Sequence, residues 1–378
     1  MLKRSIYNED HALFRDSVRE FFKREMVPNL DKWEKNGIVD REFWLACGAQ
    51  GYLLPDIPEE YGGGGLDFKI NAIIGEEQAF VGSCSPAFSN HSDIVAHYVN
   101  NYGTEAVKRQ WLPKMATGEA IGSICMTEPD TGSDLKAIKT KATRTSGGYL
   151  LNGSKTFITN GLSSDFGVVA ARTGSGRGAD TISLFVCDAS AEGYTKGRKL
   201  EKIGNKSVDT IELFFDNLFV PAENLLGEEG RGFAYMMQEL PQERLTIAVS
   251  CQAAAQHAYD ITVPYVKERK AFGRPIIDFQ NTRFVLADIK SKLQVGWAHL
   301  DACIQAVVDK KLTVHQAAAA KLWHTELRSN VVDSCLQLFG GYGYIEEYEI
   351  ARLWRDARVM RLYGGTSEIL KELIGRSI

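Results

Sequence analysis

The chain has 378 residues, with 44 Lys and Arg against 48 Asp and Glu, for a formal net charge of −4. That near-balance leaves no basic footprint for nucleic acid or an acidic membrane surface. The composition, 44% hydrophobic and 24% charged, is that of a globular protein, and the length asks for two or three domains. The seven cysteines lie far apart with no CxxC pair, which argues against zinc ribbons and dithiol redox sites. They read as reduced thiols of an intracellular compartment. The N-terminal MLKRSIYNEDHALF carries no apolar run suited to export, and no stretch reaches the roughly 18 consecutive apolar residues of a membrane span.

The first third has a helical pattern. Leu13, Phe14, Val18, Phe21, Phe22 and Met26 share one helical face, and Pro28 is placed to end that helix. Asp40 is a candidate cap for the next helix, and KINAIIGEEQAFVG and EAVKRQWLPKMATG continue the style. YGGGGLDF, at 61–68, lacks the Lys-Ser/Thr of a phosphate loop and reads as a flexible connection. Near residue 120 the pattern changes to short apolar or alternating runs punctuated by Gly, Asn, Asp and Ser. These are strands of a mostly antiparallel barrel or sandwich. GSGRGAD, at 174–180, opens no helix and reads as a surface loop. From GRGFAYMMQE onward long amphipathic segments, roughly 232–269, 279–309 and 314–339, predict a helical bundle, with Val285, Ile289, Leu293 and Trp297 recurring every fourth residue. The expected fold class is α+β: a helical domain over 1–119, a middle β domain over 120–226 and a four-helix-bundle domain over 227–378.

Five motifs follow one another in this frame: CMTEPDTGSD (125–134), LNGSKTFITNG (151–161), ERKAFGRPI (268–276), QLFGGYGYI (337–345) and YGGTSEI (363–369). Each is weak alone. In this order the set resembles the acyl-CoA dehydrogenase family of flavoproteins over essentially the whole chain. The resemblance implies bound FAD, an acyl-CoA substrate, a homotetramer and an electron-transferring flavoprotein as oxidant. It implies the cytoplasm for a bacterial protein and the mitochondrial matrix for a mature eukaryotic one. A flavin needs donors around its ring, and the resemblance assigns that role to Cys125, Met126, Thr127, Ser133, Phe157, Ile158 and Thr159. Phe157 stands where the family commonly has tryptophan over the ring face. For the dinucleotide end the same likeness implies Arg269, Phe272 and Gln280, with Arg269 reaching a neighbouring subunit's cofactor. Gln337, Leu338, Gly340 and Gly341 would allow close backbone approach, and Thr366, Ser367 and Glu368 would complete the cradle. Asp130 departs from the small residues usual after the proline.

The reaction this implies removes a proton α to a thioester, so it needs a carboxylate and a donor for the developing enolate oxygen. Many family members carry a glutamate directly after the tyrosine of the last motif. Here Tyr363 is followed by Gly364 and Gly365. The backbone N–H of Gly364 keeps the oxygen-holding half of the site, but the carboxylate is missing. ELPQERLTIA, at 239–248, resembles the long-chain type, which places its base on this helix, and Glu243 matches it. Glu239, one turn earlier on the same face, is the rival. Pro241 removes a helical N–H between them and is expected to kink or loosen the helix locally. Burial should raise the base's pKa. Arg244 is placed toward the CoA portion and Ser133 toward the thioester end. The histidines show no metal-ligand spacing, so no metal is expected. Medium or long acyl chains in fatty-acid oxidation are the expected substrates. A branched-chain dehydrogenase and a non-catalytic acyl-CoA- or FAD-binding relative are the alternatives, and an oxidase is a third.

Overall fold

The computed structural model describes residues 4–83, 85–174, 176 and 178–378. Six helices come first: α1 (Glu9–Glu25), α2 (Leu30–Asn36), α3 (Arg41–Ala49), α4 (Phe68–Phe80), α5 (Ala96–Tyr102) and α6 (Glu105–Thr117). A π-helical segment, Ser89–Val95, runs directly into α5. Val18, Phe21, Phe22 and Met26 are buried as the periodicity predicts, but Leu13 is exposed. Helix α1 closes at Glu25, and Pro28 sits in a following 3₁₀ turn rather than terminating it. Asp40 occupies the N-cap position of α3, yet its carboxylate accepts from Lys32 Nζ and Trp33 Nε1 instead of capping.

The glycine run at 62–65 is not a flexible connection. The amides of Gly63, Gly64 and Gly65 donate to Pro58, Leu54 and Ile57 carbonyls. A Cβ at Gly63 would lie 2.1 Å from the Ile57 oxygen, so glycine serves close backbone packing here.

The middle region holds β1 (Gly122–Cys125), β2 (Lys141–Thr145), β3 (Gly148–Thr159), β4 (Phe166–Arg172), β5 (Ile182–Asp188), β6 (Tyr194–Lys199), β7 (Thr210–Pro221) and β8 (Leu225–Leu226). They form one sheet in the order β6-β7-β3-β2-β4-β5-β8, with β1 parallel to β4 and most other pairs antiparallel. Strand β4 is buried along its whole length. Phe166, Val168 and Ala170 join the core shared with the N-terminal helices, while Val169 and Ala171 join the sheet's own core. That double burial explains its uninterrupted apolar sequence. Of the loop at 174–180, Ser175 and Arg177 lie outside the described residues, as does Cys84. The other six cysteines are buried, none in a disulfide.

The last region is α7 (Gly232–Glu268), a hairpin of β9 (Lys270–Ala271) and β10 (Arg274–Pro275), α8 (Gln280–Val308), α9 (Val314–Phe339), α10 (Glu349–Ala357) and α11 (Ser367–Gly375). The three long segments end within a residue of their predicted limits. Helix α7 passes uninterrupted through Pro241 and Pro264. An internal proline costs a helix about 3 kcal/mol. Burial of Met236, Leu245, Ala248, Val249 and Ala253 against α4, α8, α9 and neighbours offsets that cost. Among the described residues no helix is long and apolar enough to cross a membrane.

Candidate active site

Helix α7 carries Glu243 into the protein, where it is only 8% exposed. Its Oε1 accepts a hydrogen bond from the Tyr98 hydroxyl at 3.0 Å. Burial disfavours the carboxylate and lifts its pKa to about 7, with the nearby Glu239 charge adding to the rise. The Tyr98 bond, Arg244 and His97 oppose it. Glu239 has a different environment. It is half-buried and accepts from Tyr102 Oη at 2.7 Å and Asn101 Nδ2 at 3.0 Å.

The turn at 363–365 lies against the same stretch of α7. Gly364 and Gly365 have φ of 64° and 95°, conformations that glycine adopts without strain. Arg244 Nε donates to the Gly364 carbonyl at 3.3 Å, and Lys321 Nζ from α9 donates to the Gly365 carbonyl at 2.5 Å. Burial lowers Lys321 to about 8. Both cations are thus spent on orienting two consecutive peptides, although Nη1 of Arg244 is buried with no hydrogen-bond partner. A Cβ on Gly364 would come within 2.7 Å of Ile247 Cδ1. Ile247 is one helical turn after Glu243. The position after the tyrosine therefore packs on the turn of α7 that begins at Glu243. Tyr363 is half-exposed, its hydroxyl on Met360 Sδ at 2.6 Å.

A second group of predicted residues gathers at the ends of β1 and β3. The Thr156 amide donates to the Thr127 carbonyl at 2.9 Å, which ties the two motif segments together. Lys155 strengthens the tie by donating to Met126 O at 3.0 Å and Glu128 Oε1 at 2.8 Å. This ion pair is buried, at 0% and 5% side-chain exposure. Sequence reasoning passed over both partners, although each stands inside a quoted motif. Cys125 and Ile158 point into the sheet core, so only their backbone can meet a ligand. Thr127 and Thr159 are half-buried and Ser133 is exposed. Phe157 has a φ of 59° at an irregularity in β3 and is 67% exposed. A large ring held open on a twisted strand fits a flat aromatic partner such as a flavin ring. Asp130 pairs with Lys139 at 2.7 Å in solvent, which removes its charge from the turn's interior.

The third group lines a cleft of about 530 Å³ at the end of the bundle, formed by Tyr265, Arg269, Gln337, Leu338, Gly340 and Gly341 among others. Arg269 is exposed and lies over the Tyr342 ring, 5.3 Å from its centroid. Nothing stands within 4 Å of a Cβ built on Gly340 or Gly341, so this rim is open to an extended ligand. Phe272 is 96% exposed at the tip of the β9–β10 hairpin, and Gln280 is exposed at the start of α8. Thr366 caps α11 by accepting from Ile369 N, Ser367 is buried against Glu326, and Glu368 is exposed. Exposed hydrogen-bonding groups and an exposed cation around a cleft suit a pyrophosphate-bearing cofactor. Among the described residues no group of His, Cys, Asp and Glu is placed to hold a metal ion.

The chain belongs to the acyl-CoA dehydrogenase family: that family's N-terminal, middle and C-terminal domains match residues 8–119, 123–218 and 230–378. It is 47% identical to the mitochondrial long-chain specific acyl-CoA dehydrogenase of Sus scrofa over 99% of this chain and 88% of that protein. It is 35% identical to a mitochondrial isovaleryl-CoA dehydrogenase of Oryza sativa subsp. japonica, over 99% and 92%. The crystal structure of an acyl-CoA dehydrogenase from Geobacillus kaustophilus superposes with a TM-score of 0.96 at 45% identity, covering 98% of each chain.

Proposed function

We propose that this enzyme binds FAD and converts a saturated acyl-CoA of medium or long chain into the trans-2-enoyl-CoA, with Glu243 as the base. The buried carboxylate of Glu243, beside a Gly364 turn that has no acidic side chain, is the observation that carries this reading. The Glu243 carboxylate takes the α-proton. The Gly364 amide holds the thioester oxygen, on which negative charge develops. Arg244 and Lys321 hold the two consecutive peptides that follow the Gly364 amide, through the Gly364 and Gly365 carbonyls, and so support the turn that presents it. Bound FAD would supply the acceptor for the hydride from the β-carbon.

Phe157 and the segments Cys125–Ser133 and Phe157–Thr159 would hold the flavin ring, with Thr127 and Thr159 supplying hydroxyls. Arg269, Phe272 and Gln280, with the 337–341 rim and Thr366–Glu368, would hold the dinucleotide end. The exposure of Arg269 and Phe272 is what a cofactor shared with a second subunit would need, and the homotetramer is what the family likeness implies. We assign the domains to 1–119, 120–226 and 227–378. Electrons would pass to an electron-transferring flavoprotein. The compartment would be the mitochondrial matrix or, in a bacterium, the cytoplasm. Closer identity to the long-chain relatives than to the isovaleryl-CoA relatives favours straight chains, and branched acyl groups are the second reading.

The test is anaerobic mixing of wild type and Glu243→Gln with saturating acyl-CoA while flavin absorbance is followed. Wild type bleaches, and the variant reduces its flavin about 10³-fold more slowly, within the usual range for a lost general base. Equal bleaching in both moves the base, with Glu239 next in line. No bleaching in either, across short, long and branched chains, removes the enzymatic reading.

A further inference from the structure

Two consecutive residues of α5 meet two consecutive residues of α7. His97 Nε2 lies 3.0 Å from Gln242 Nε2, and the Tyr98 hydroxyl donates to Glu243 Oε1 at 3.0 Å. Tyr98 is fully buried, so its hydroxyl is closed off from bulk solvent. The chain enters α5 from the π-helical segment, whose wider turn shifts the helical register by a residue. That segment is itself anchored: Asp93 accepts from Asn71 Nδ2 at 2.8 Å, and the same amide reaches Asp56 at 3.1 Å. His97 Nε2 is also 3.0 Å from Asp56 Oδ2. The segment that leads into Tyr98 is therefore fixed at Asp93 through Asn71 and at His97 through Asp56 before Tyr98 touches the carboxylate.

We propose that Tyr98 is the positioning residue of the base, its hydroxyl occupying Glu243 Oε1 so that Oε2 is turned to the substrate's α-carbon. The proposal rests on Glu243 being the base. In the proton transfer the α C–H bond breaks, its electron pair passes into the enolate, and the proton bonds to Oε2. Tyr98 keeps its own proton throughout. A donor to the carboxylate favours the charged form over the acid, so Tyr98 also holds the base partly ionised near neutrality.

The charges facing Glu243 are His97 from α5, with Glu239 and Arg244 from its own helix. Behind His97, Asp93 of the π-helical segment is lifted to about 7 by burial, with Asp56 adding to the rise. Because Asp93 is the same in wild type and every variant, the difference between profiles is what is read. Although burial opposes it, the Asp56 carboxylate raises His97 to about 9, so its charge is constant across the acid limb. Burial lowers Lys321 from α9, beyond Arg244, to about 8, above the wild-type limb but where the raised limb of a donor-less variant would fall. The comparison is therefore read at pH 6, where Lys321 stays charged in both.

The experiment follows deuterium uptake at the α-carbon of a 3-thiaacyl-CoA by mass spectrometry, on the FAD-loaded enzyme between pH 5.5 and 9. Sulfur at the β-position leaves no hydride to transfer, so the readout is proton removal alone. In Tyr98→Phe the acid limb moves up by about one pH unit, so uptake falls about tenfold at pH 6 and far less at pH 9. Placing 2,3-difluorotyrosine at 98 makes the hydroxyl a stronger donor, and the limb moves down. Tyr102→Phe, which strips a donor from Glu239, superimposes on wild type. An unchanged Tyr98→Phe profile, or an equal loss at every pH, overturns the positioning role. If Tyr98→Phe does not fold, the fluorinated protein decides, and an unmoved limb there overturns it. If Glu243→Gln exchanges like wild type, the base assignment itself fails, a pattern distinct from failure of the Tyr98 proposal alone.

Discussion

The neighbourhood of Glu243 and the segments assigned to the cofactor are built in opposite ways. Around Glu243 the side chains are buried, the hydrogen bonds are internal, and two cations are spent on holding a glycine turn. At Phe157, Arg269, Phe272 and the 340–341 rim, groups stand exposed with open space beside them. A proton-abstracting carboxylate gains basicity from a dry, finished pocket. A dinucleotide needs an open cleft that its own surface completes. The difference teaches that burial is concentrated on the carboxylate and its turn, while the segments proposed for the cofactor keep their side chains open.

Four changes would break or sharpen that contrast. The largest stability effect is expected where the open half is anchored. Lys155→Met leaves Glu128 buried without its partner and should cost about 3–5 kcal/mol in chemical denaturation. A loss below about 1 kcal/mol would mean that the pair does not hold the two motif segments together.

Next comes Glu243→Gln read as a stability change. The folded carboxyl titrates near 7 against a reference of 4.5. Below the lower value it is protonated in both states, and no penalty exists. As pH rises through 4.5 to 7 the unfolded chain ionises first, so the folded state loses stability, approaching about 3 kcal/mol by pH 8. The glutamine variant should therefore be more stable than wild type at pH 8, with the gap closing by pH 5. An equal gap at both pH values would contradict the raised pKa.

Gly364→Ala is a smaller perturbation. The positive φ and the approach to Ile247 together should cost about 1–2 kcal/mol, and Ile247→Val should recover part of it. Recovery by the second substitution is the informative result, because it locates the cost at the α7 contact. Arg269→Ala should change the melting of the chain by less than about 0.5 kcal/mol, as for exposed surface sites. It should instead lower FAD affinity, measured by fluorescence titration of the apoprotein. A large loss of stability with unaltered FAD binding would return Arg269 to a structural role.

Much of this was legible in the sequence because it depends on local patterns. The limits of α7, α8 and α9 follow from apolar periodicity, and the middle strands from alternation and turn residues. Glu243 stood out in the sequence as a candidate because the missing carboxylate at Gly364 asks for one elsewhere, and the structure buries its side chain. What escaped depends on contacts far apart in the chain. The glycines at 62–65 look mobile in sequence, since nothing local tells that Pro55, Ile57 and Pro58 press against them. Leu13 fits its stripe, yet packing leaves it 71% exposed. Pro241 predicts a break that packing against α4, α8 and α9 overrides. Lys155 and Glu128 sit 27 residues apart, with no local signal that they would be buried as a pair.

By itself, then, the sequence determined the helix–sheet–helix order, the family and the candidate carboxylate, all of which rest on short-range patterning and motif order. Only the tertiary structure decided that Tyr98 meets Glu243, that Arg244 and Lys321 clamp the 364–365 turn, and that Glu239 is engaged by Tyr102 and Asn101 instead. Those outcomes depend on how α5, α7, α9 and the last turn converge. A hydrogen bond of 3.0 Å between residues 145 positions apart is set by packing across four elements, and no local preference encodes it.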